Sequence, residues 1–455
     1  MKLEFIGNEG LVLLDTVRRL YRRKARSALS KVLNKIHPAE LAWMFRHLTA
    51  RERREIFDLI REPERVGEIL SELDESIGLE LIAALEPQRI MEVTAAMSTD
   101  DQADLLEALP DELREQVMAL MKTEDAEGIE ELLQYEADSA GGIMSPDFLA
   151  MSDDLKVSEA IRKVQQLSEE AEMAFYIYVV DAEGKLQGIL SLRQLLMNAA
   201  SKSLSSIMER DVVAVSPGTD QEEVAHIVSR YNIMAVPVVD HDGTMLGIVT
   251  VDDILDVVRE EATEDFLQMV GAGKDREILL KPVLQNALAR LPWLLASWVG
   301  GVLAMSVIVS FQDELSRMIV LAGFIPVIIG MGGNIGTQSS TITIRGLATG
   351  RVNVTRVWSF ISKQLRVGLI LGVFFGLLLG LLAWLFYGTL GLGIVVALAI
   401  CASMLISTSL GTVVPIILRR LDVDPAVATG PFVTTTTDVL GVLIYFLLAI
   451  SILNP

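Results

Sequence analysis

The stretch PFVTTTTDVLGVLIYFLLAISIL, from Pro431 to Leu453, is apolar over nearly its whole length and carries one charged residue, Asp438. About 20 consecutive apolar residues are enough for an α-helix to cross the hydrocarbon core of a bilayer. The stretch therefore predicts a transmembrane helix. A carboxylate inside such a helix costs about 2.5–3.5 kcal/mol even on lenient scales, so we expect Asp438 to have a function.

Uncharged runs elsewhere in the chain predict four further spans. Leu291–Gln312 and Met318–Ile344 contain no Asp, Glu, Lys or Arg, although Pro326 and several glycines are expected to break the second run internally. The run Val367–Leu418 is too long for one crossing and fits two helices that turn near Gly388–Gly393. The sequence thus predicts an α-helical membrane domain with five spans.

Basic residues in the short segments between spans predict the orientation of the chain. Lys and Arg concentrate in residues 274–290 and 345–366 and at Arg419 and Arg420, which five spans place on one side. We therefore expect a multi-pass protein of the cell (inner) membrane, with a cytoplasmic N-terminal half and the C-terminus outside. The opening residues MKLEFIGNEG have no uninterrupted apolar core, and no signal peptide is predicted.

Charge divides the chain into two halves. Residues 1–273 hold 53 acidic and 27 basic side chains, whereas residues 274–455 hold 7 and 12. Such an acidic soluble half argues against nucleic acid as a partner. The single cysteine, Cys401, excludes a disulfide within one chain and a CxxC metal site. No phosphate-binding GxxxxGK[ST] loop is present, which argues against an ATPase, and no catalytic motif indicates an enzyme.

The soluble half contains two kinds of repeat. The segments 48–60, 73–85 and 97–109 each place a capping residue before an apolar helical pattern, which predicts stacked helices resembling a small solenoid over residues 1–135. Residues 143–200 and 207–258 each read as strand, helix, strand, acidic-Gly turn, strand and helix. These two units, within residues 136–258, resemble a tandem pair of CBS domains with an α/β fold.

In the CBS family, a motif of the kind GIVTVDD, which begins at Gly247 here, often contacts adenosine nucleotides. The resemblance implies that Thr250 and Asp253 bind ATP or another adenine nucleotide. The first unit has GILSLRQ, with Gln194 in place of the acid. A purely structural CBS pair is the alternative.

A connecting helix rich in carboxylates follows, over residues 259–277, and leads into the membrane domain at residue 278. A solvated helix face is the simplest interpretation of such a run. However, the anionic inner leaflet should repel it, so we expect divalent cations such as Mg²⁺ or Ca²⁺ to neutralise it. Six carboxylates lie within residues 253–265, which begin in the second CBS unit and continue into this helix: Asp253, Asp256, Glu260, Glu261, Glu264 and Asp265.

Asp438 shares a helix face with Thr434, which lies one turn before it. A neutral acid in an interhelical hydrogen bond is one interpretation, and a cation site along an aqueous path is the other. The second span, IPVIIGMGGNIGTQSSTITIRG (325–346), favours the cation path because its glycines and polar residues, Asn334 among them, would be costly against lipid. Amide and carbonyl oxygens suit Mg²⁺, which keeps part of its water shell.

The order of these parts resembles the MgtE magnesium transport family over essentially the whole chain. The residues that carry the resemblance are MGGNIGTQSS (331–340), DPAVATGP (424–431), TTTTDVLG (434–441) and EEATED (260–265). The resemblance implies a homodimeric, Mg²⁺-selective channel with its pore at the dimer axis, lined by spans 2 and 5. It implies pore residues Asp438, Thr434 and Asn334. It implies regulatory Mg²⁺ ligands at Asp100, Asp104, Glu222, Asp253, Asp256, Glu261, Glu264, Asp265 and Asp424.

The expected function is uptake of Mg²⁺ down its electrochemical gradient, closed when cytosolic Mg²⁺ bridges the acidic domains. Passage of Co²⁺, Mn²⁺, Ni²⁺ or Ca²⁺ is an alternative selectivity. The rival function is a membrane-anchored CBS sensor of cations or nucleotides without transport. The basic run RRLYRRKARS (18–27) is interpreted as a solvated helix face, with contact to anionic lipid or to the acidic domains as the alternative and binding of single-stranded nucleic acid as a third.

Overall fold

The computed structural model describes residues 9–166, 176–272, 278, 280–349, 351–352, 357–421, 423–428 and 430–453. The chain divides into two compact units, Met1–Val258 and Arg259–Pro455. We describe each unit by itself. One helix, α14 (Val251–Met269), runs continuously across the residue that divides them.

The first part of the first unit is a stack of short helices. From α3 onward, each helix packs against the helix two positions along, so that odd and even helices form two rows. Buried aliphatic residues such as Leu41, Ile69 and Val93 fill the space between the rows. The predicted solenoid-like fold is thereby confirmed. Its ten helices within the described residues are α1 Glu9–Arg22, α2 Arg26–Leu33, α3 Pro38–His47, α4 Ala50–Phe57, α5 Pro63–Ser71, α6 Glu75–Ile82, α7 Pro87–Thr94, α8 Thr99–Ala108, α9 Asp111–Met118 and α10 Thr123–Leu132.

A tight turn joins α1 to α2. The backbone N–H of Lys24 donates to Tyr21 O and that of Ala25 donates to Leu20 O, which together form a Schellman motif. Lys24 has a φ of 54° at the position where glycine is usual. The side chains of Leu14 and Val17 on α1 and of Leu29 on α2 are buried behind this turn, so the turn is held on a packed core.

The second part of the first unit has the repeated α/β order that the sequence predicts. In the first repeat, β1 pairs parallel to β2, and β2 pairs antiparallel to β3; in the second, β4 pairs antiparallel to β5. The CBS-type fold is confirmed. The elements are β1 Ala150–Ser152, α11 Val157–Gln166, β2 Tyr176–Val180, β3 Leu186–Ser191, α12 Leu192–Met197, α13 Gln221–Tyr231, β4 Ala235–Val239 and β5 Met245–Thr250.

The two repeats exchange their leading segments. Ser145, which precedes the first repeat's strands, exchanges both backbone hydrogen bonds with Ile248 of β5, and Glu209 does the same with Ile189 of β3. Gly188 and Gly247 permit this approach, because a Cβ at either position would lie within 2.8 Å of the exchanged backbone. The repeats therefore form one intertwined body rather than two separate domains.

The second unit contains the membrane helices. Five helices or helical segments in the described chain are long and apolar enough to cross a membrane, as the sequence predicts. The helices are α15 Val283–Ser310, α16 Gln312–Arg317, α17 Ile325–Ala348, α18 Val357–Tyr387, α19 Leu390–Arg420 and α20 Pro431–Leu453. A 3₁₀ segment, Ile319–Phe324, leads into α17, and another, Pro425–Ala428, precedes α20.

The predicted break within the second span is wrong. Pro326 lies in the first turn of α17, where a missing N–H breaks no intrahelical bond, and the glycines that follow it are helical. The turn between α18 and α19 lies where the sequence predicts it, at Gly388, whose φ is 69°. Several helices also extend past the uncharged runs and include basic residues at their ends, such as Arg290, Lys363 and Arg420.

Small residues set the packing of the membrane helices. On α18, Gly368, Gly372, Gly376 and Gly380 recur every fourth residue and lie directly against α19. A Cβ on Gly376 would lie 2.5 Å from the carbonyl oxygen of Ala397. Close backbone approach of this kind is how helices associate in lipid, where no hydrophobic force drives them together. Helix α19 also contacts α17 and α20.

Candidate cation path and regulatory carboxylates

Helices α17 and α20 lie side by side and run antiparallel. Gly336 of α17 faces Val433 of α20, whereas Ile328 of α17 faces Gly441 of α20. By this register, Asn334 lies at the depth of Thr434, and Asp438 lies about one turn farther along α20, near the depth of Met331. All three predicted pore residues therefore fall in one short section of this helix pair.

The threonines of α20 leave their oxygen lone pairs available. The Thr434 hydroxyl donates to Gly430 O at 3.0 Å, and the Thr437 hydroxyl donates to Thr434 O at 2.8 Å. A hydroxyl that donates its proton to the backbone can still accept a hydrogen bond from water or contact a cation. Asp438 is half-buried one turn after Thr434. The start of α20 therefore presents oxygen ligands, which hard cations prefer.

Helix α17 has a polar exposed face. Asn334, Gln338 and Thr341 recur at i, i+4 and i+7, and all three are exposed in the single chain. Polar side chains are costly against lipid tails, so this face requires water or another protein surface. These residues belong to the glycine-rich polar stretch of the second span, which is helical in the structure.

A single chain does not assemble an all-carboxylate cage. Among the residues that the structure describes, no three His, Cys, Asp or Glu side chains lie close enough to hold one ion. Mg²⁺ usually keeps several waters and uses only one or two carboxylates, so such a cage is not required for its passage.

Three predicted regulatory carboxylates influence one another's pKa in the first unit, where two lie on α8 and one at the start of α14. They are not close enough to form one metal site by themselves. Desolvation by the surrounding protein raises the pKa of Asp104 to about 7, with further increases from Asp101 and Asp100, although the Asp104 side chain is itself exposed to solvent. Burial likewise raises the pKa of Asp100, which is 8 % exposed, and its Oδ1 has no hydrogen-bond partner among the described residues. We call Asp100, Asp104 and Asp253 the acidic crevice.

Asp253 interacts both with the charge of Asp100 and with Thr250 at the start of α14. Burial raises its pKa to about 7, the hydrogen bond from Thr250 opposes that shift, and the charge of Asp100 adds to it. Both the hydroxyl and the N–H of Thr250 donate to Asp253 Oδ2, so Asp253 caps the start of α14. In the first repeat, Ser191 and Gln194 form the same capping box at α12. The motif interpreted as nucleotide-binding is therefore also a helix cap in both repeats.

Sequence reasoning missed the contact beside the acidic crevice. The Thr99 hydroxyl, in the first turn of α8, donates to Asp147 Oδ2 at 2.7 Å. This hydrogen bond joins the helical domain to the segment that carries Ser145 into the CBS pair. Asp147 lies in the segment IMSPD, 48 residues after Thr99, and no local sequence pattern predicts a contact over that separation.

The other predicted regulatory residues are spread over several elements. Glu222 lies in the first turn of α13, and its backbone N–H donates to Asp220 Oδ1. Asp424 accepts from the Ala426 N–H at 2.8 Å and so caps the 3₁₀ segment before α20. The remaining four lie on α14, the helix that contains the boundary between the two units: Asp256, Glu261, Glu264 and Asp265.

Comparison with known protein families matches most of the chain. Residues 325–448 match the MgtE family model, described as a divalent cation transporter. Residues 36–138 match the MgtE intracellular N domain, and residues 140–201 and 204–260 match CBS domains.

Whole relatives match as well. The magnesium transporter MgtE of Bacillus subtilis is 37% identical over 72% of each chain, and that of Thermus thermophilus is 39% identical over 70% of this chain and 71% of its own. The crystal structure of the cytosolic domain of the Mg²⁺ channel MgtE in complex with ATP is 35% identical, with a TM-score of 0.51. It covers 54% of this chain and 99% of its own.

Proposed function

Because this chain belongs to the MgtE family of divalent cation transporters, we propose that it carries Mg²⁺ through the membrane by a channel-like route. The observation that carries the proposal is that Asp438 and Thr434 on α20 lie near the depth of Asn334, which belongs to the exposed polar face of α17. A hydrated divalent cation meets carboxylate, hydroxyl and amide oxygens along that path. In this interpretation Asp438 draws the ion in, and Asn334 and Thr434 contact its water shell.

The membrane potential supplies enough energy for uptake. A divalent cation that enters an inside-negative cell gains about 2.3 kcal/mol per charge for each 100 mV. Two charges support roughly a thousandfold accumulation, since 1.4 kcal/mol corresponds to a factor of ten. Hydrolysis of ATP is therefore not needed. The orientation, with cytosolic domains at the N-terminus and the C-terminus outside, follows the predicted positions of the basic segments.

A homodimer would complete the path. One chain contributes one aspartate to the membrane section and leaves the polar face of α17 exposed. Two copies related by a twofold axis would bring two Asp438 carboxylates and two such faces together. Membrane lipid would cover the remaining apolar surface of the five spans.

We propose that cytosolic Mg²⁺ closes the path. In the acidic crevice, burial is the main cause of the raised pKa values and repulsion between the carboxylates adds to it; a divalent cation would offset both. The carboxylates of α14, together with Glu222 and Asp424, would supply the other regulatory positions. High Mg²⁺ would favour the compact form, and low Mg²⁺ would release it.

An adenine nucleotide is a further proposed ligand, at Thr250 and Asp253. The relative whose cytosolic domain was solved with ATP supports this proposal. Gln194, at the equivalent position of the first repeat, lacks the carboxylate that would accept hydrogen bonds from the ribose hydroxyls. We therefore expect one nucleotide per chain. Co²⁺, Mn²⁺ and Ni²⁺ are weaker candidates for transport, because the oxygen ligands favour harder cations.

Currents across excised membrane patches test the transport proposal. Wild type should conduct Mg²⁺ at low cytosolic Mg²⁺ and close at high Mg²⁺. Asp438→Asn, which keeps the shape and removes the charge, should abolish selective conduction, and Asp438→Glu should retain part of it. The matched control is Asp242→Asn, at an exposed hairpin turn, which should conduct normally.

The second candidate is a membrane-anchored sensor, which the CBS pair and its Thr250–Asp253 cap favour. A wild-type protein that binds Mg²⁺ and nucleotide but passes no current under any condition would replace the transport proposal with this one.

A further inference from the structure

A compact basic surface lies at the turn between α1 and α2. It consists of Arg19, Arg22, Arg23, Lys24 and Arg26, all of which are exposed, and we call it the basic tip. Within the described residues, none of the five forms an ion pair. Asp15 lies one turn before Arg19 on the same face of α1, and the charge of Arg26 acts on Glu55 of α4.

The basic tip contrasts with the rest of the soluble half. Residues 1–35 hold nine basic and three acidic side chains, whereas residues 36–273 hold 18 basic and 50 acidic. Positive charge is therefore concentrated at one end of the helical domain.

The backbone supports the inference independently of the charge count. Lys24 adopts a φ of 54° at the end of the Schellman motif, a conformation that glycine adopts without steric cost. A lysine there is strained, and it lies in sequence between Arg23 and Arg26 of the basic tip. Strained residues persist where the surrounding structure enforces them, and such positions cluster at functional sites.

We propose that the basic tip binds the anionic headgroups of the cytoplasmic leaflet. Because the same chain spans the membrane, the tip is tethered to it, and a weak interaction with headgroups within its reach is intramolecular. Each basic side chain near an anionic membrane contributes roughly fivefold to the binding constant. Exposed Val12, on the same face of α1 two turns before Arg19, adds apolar contact at the interface.

Energy transfer from the tip to the lipid headgroups measures this interaction in the full chain. The protein carries Cys401→Ala and Ser27→Cys; Ser27 is exposed beside Arg26 and takes the donor dye. It is reconstituted in nanodiscs of phosphatidylcholine, or of phosphatidylcholine with phosphatidylglycerol, each with an acceptor on the headgroups. Transfer should be higher in the anionic discs and should fall with added salt, since screening shortens the range of the attraction.

Two kinds of variant separate lipid binding from structure. The triple variant Arg19→Gln, Arg22→Gln and Arg23→Gln should lower transfer to the value in neutral discs, a loss of roughly a hundredfold in binding. The matched control with Lys163→Gln, Arg193→Gln and Lys202→Gln removes three exposed charges from the CBS pair and should bind like wild type. Lys24→Gly should raise the unfolding temperature, because strain is relieved, and at the same time lower transfer.

Several outcomes would overturn the proposal. Equal transfer in neutral and anionic discs would exclude headgroup charge, and unchanged transfer in the triple variant would exclude the basic tip. Competition by soluble glycerophosphate at matched ionic strength would identify a free-phosphate site instead. Displacement from the discs by a short single-stranded RNA, at that ionic strength, would identify a nucleic acid surface.

Discussion

Asp104 and Asp253 hold their protons more tightly than ordinary aspartates, since burial and neighbouring carboxylates raise both pKa values to about 7. A raised pKa means that the folded state favours the protonated form. Stability from this source is fully present below the unfolded pKa, near 3.9, and is lost as pH rises through 7. The metal-free chain should therefore unfold at lower temperature at pH 8 than at pH 6.

Asparagine imitates the protonated carboxyl, so Asp104→Asn should raise the unfolding temperature in EDTA most at pH 8, less at pH 6, and very little near pH 4, where the unfolded carboxyl is also protonated. Asp125→Asn, at an exposed site on α10, is the matched control and should change none of these values. Scanning calorimetry of the chain in detergent measures them. An Asp104→Asn profile with the wild-type slope would mean that the repulsion in the acidic crevice does not limit stability.

Motifs in the sequence identify the types of the candidate residues but not their distances. Asp438 is predictable because a lone acid in an apolar span is rare, and Asp253 is predictable from the motif that ends β5. That Asp100 is buried with an unpartnered oxygen depends on how α8 packs, which no local pattern encodes. The Thr99–Asp147 hydrogen bond joins two domains for the same reason and is equally hidden.

At the scale of single elements, the two CBS repeats provide their own control for nucleotide binding. Asp253→Ala and Gln194→Ala each remove the side chain that completes a capping box, at a cost of about 1 kcal/mol. Only Asp253→Ala should also abolish binding of ATP, measured by calorimetry on the full chain. Equal loss of binding in both variants would indicate that helix capping, and not the carboxylate, supports the nucleotide.

The glycines of α18 allow a second test at this scale. Gly376→Ala gains helix propensity of up to about 1 kcal/mol but places a Cβ against the Ala397 carbonyl, and such overpacking costs about 1–3 kcal/mol. We expect a lower unfolding temperature in detergent. Gly301→Ala on α15, where a Cβ meets nothing within 4 Å, should be neutral or stabilising. A stable Gly376→Ala protein would mean that α18 can shift away from α19.

The glycines also explain why one prediction about the second span failed. Local propensity treats Pro326 and the glycines after it as helix breakers, and in water this is reasonable. Within the membrane domain, some of these glycines permit close contacts, such as Gly332 with Ser403 and the Gly336 carbonyl with Gly411, whereas a Cβ on Gly330 or Gly333 would meet nothing within 4 Å. Tertiary packing therefore outweighs propensity along α17, whereas hydrophobic length alone is enough to predict that a span exists.

At the scale of the whole molecule, the excess of acid in residues 1–273 raises the question of how Mg²⁺ would stabilise the soluble half under the proposed regulation. Mg²⁺ could act in two ways, by general screening or by bridging particular carboxylates. Any salt screens diffuse repulsion, because mobile ions gather around the charged surface. Bridging requires a divalent ion at particular carboxylates, here those of the acidic crevice, where α8 meets the start of α14.

Hydrogen exchange along α8 distinguishes the two modes. If Mg²⁺ bridges the acidic crevice, it should slow exchange of the α8 amides roughly tenfold, which corresponds to about 1.4 kcal/mol. KCl at the same ionic strength should leave them unchanged, and α3, which lies outside the crevice, should respond to neither salt. In Asp100→Asn the effect of Mg²⁺ on α8 should shrink, since Asp100 contributes a buried, unpartnered oxygen. Equal protection by KCl would mean that screening is sufficient, and the proposed closure would then depend on total ionic strength rather than on Mg²⁺.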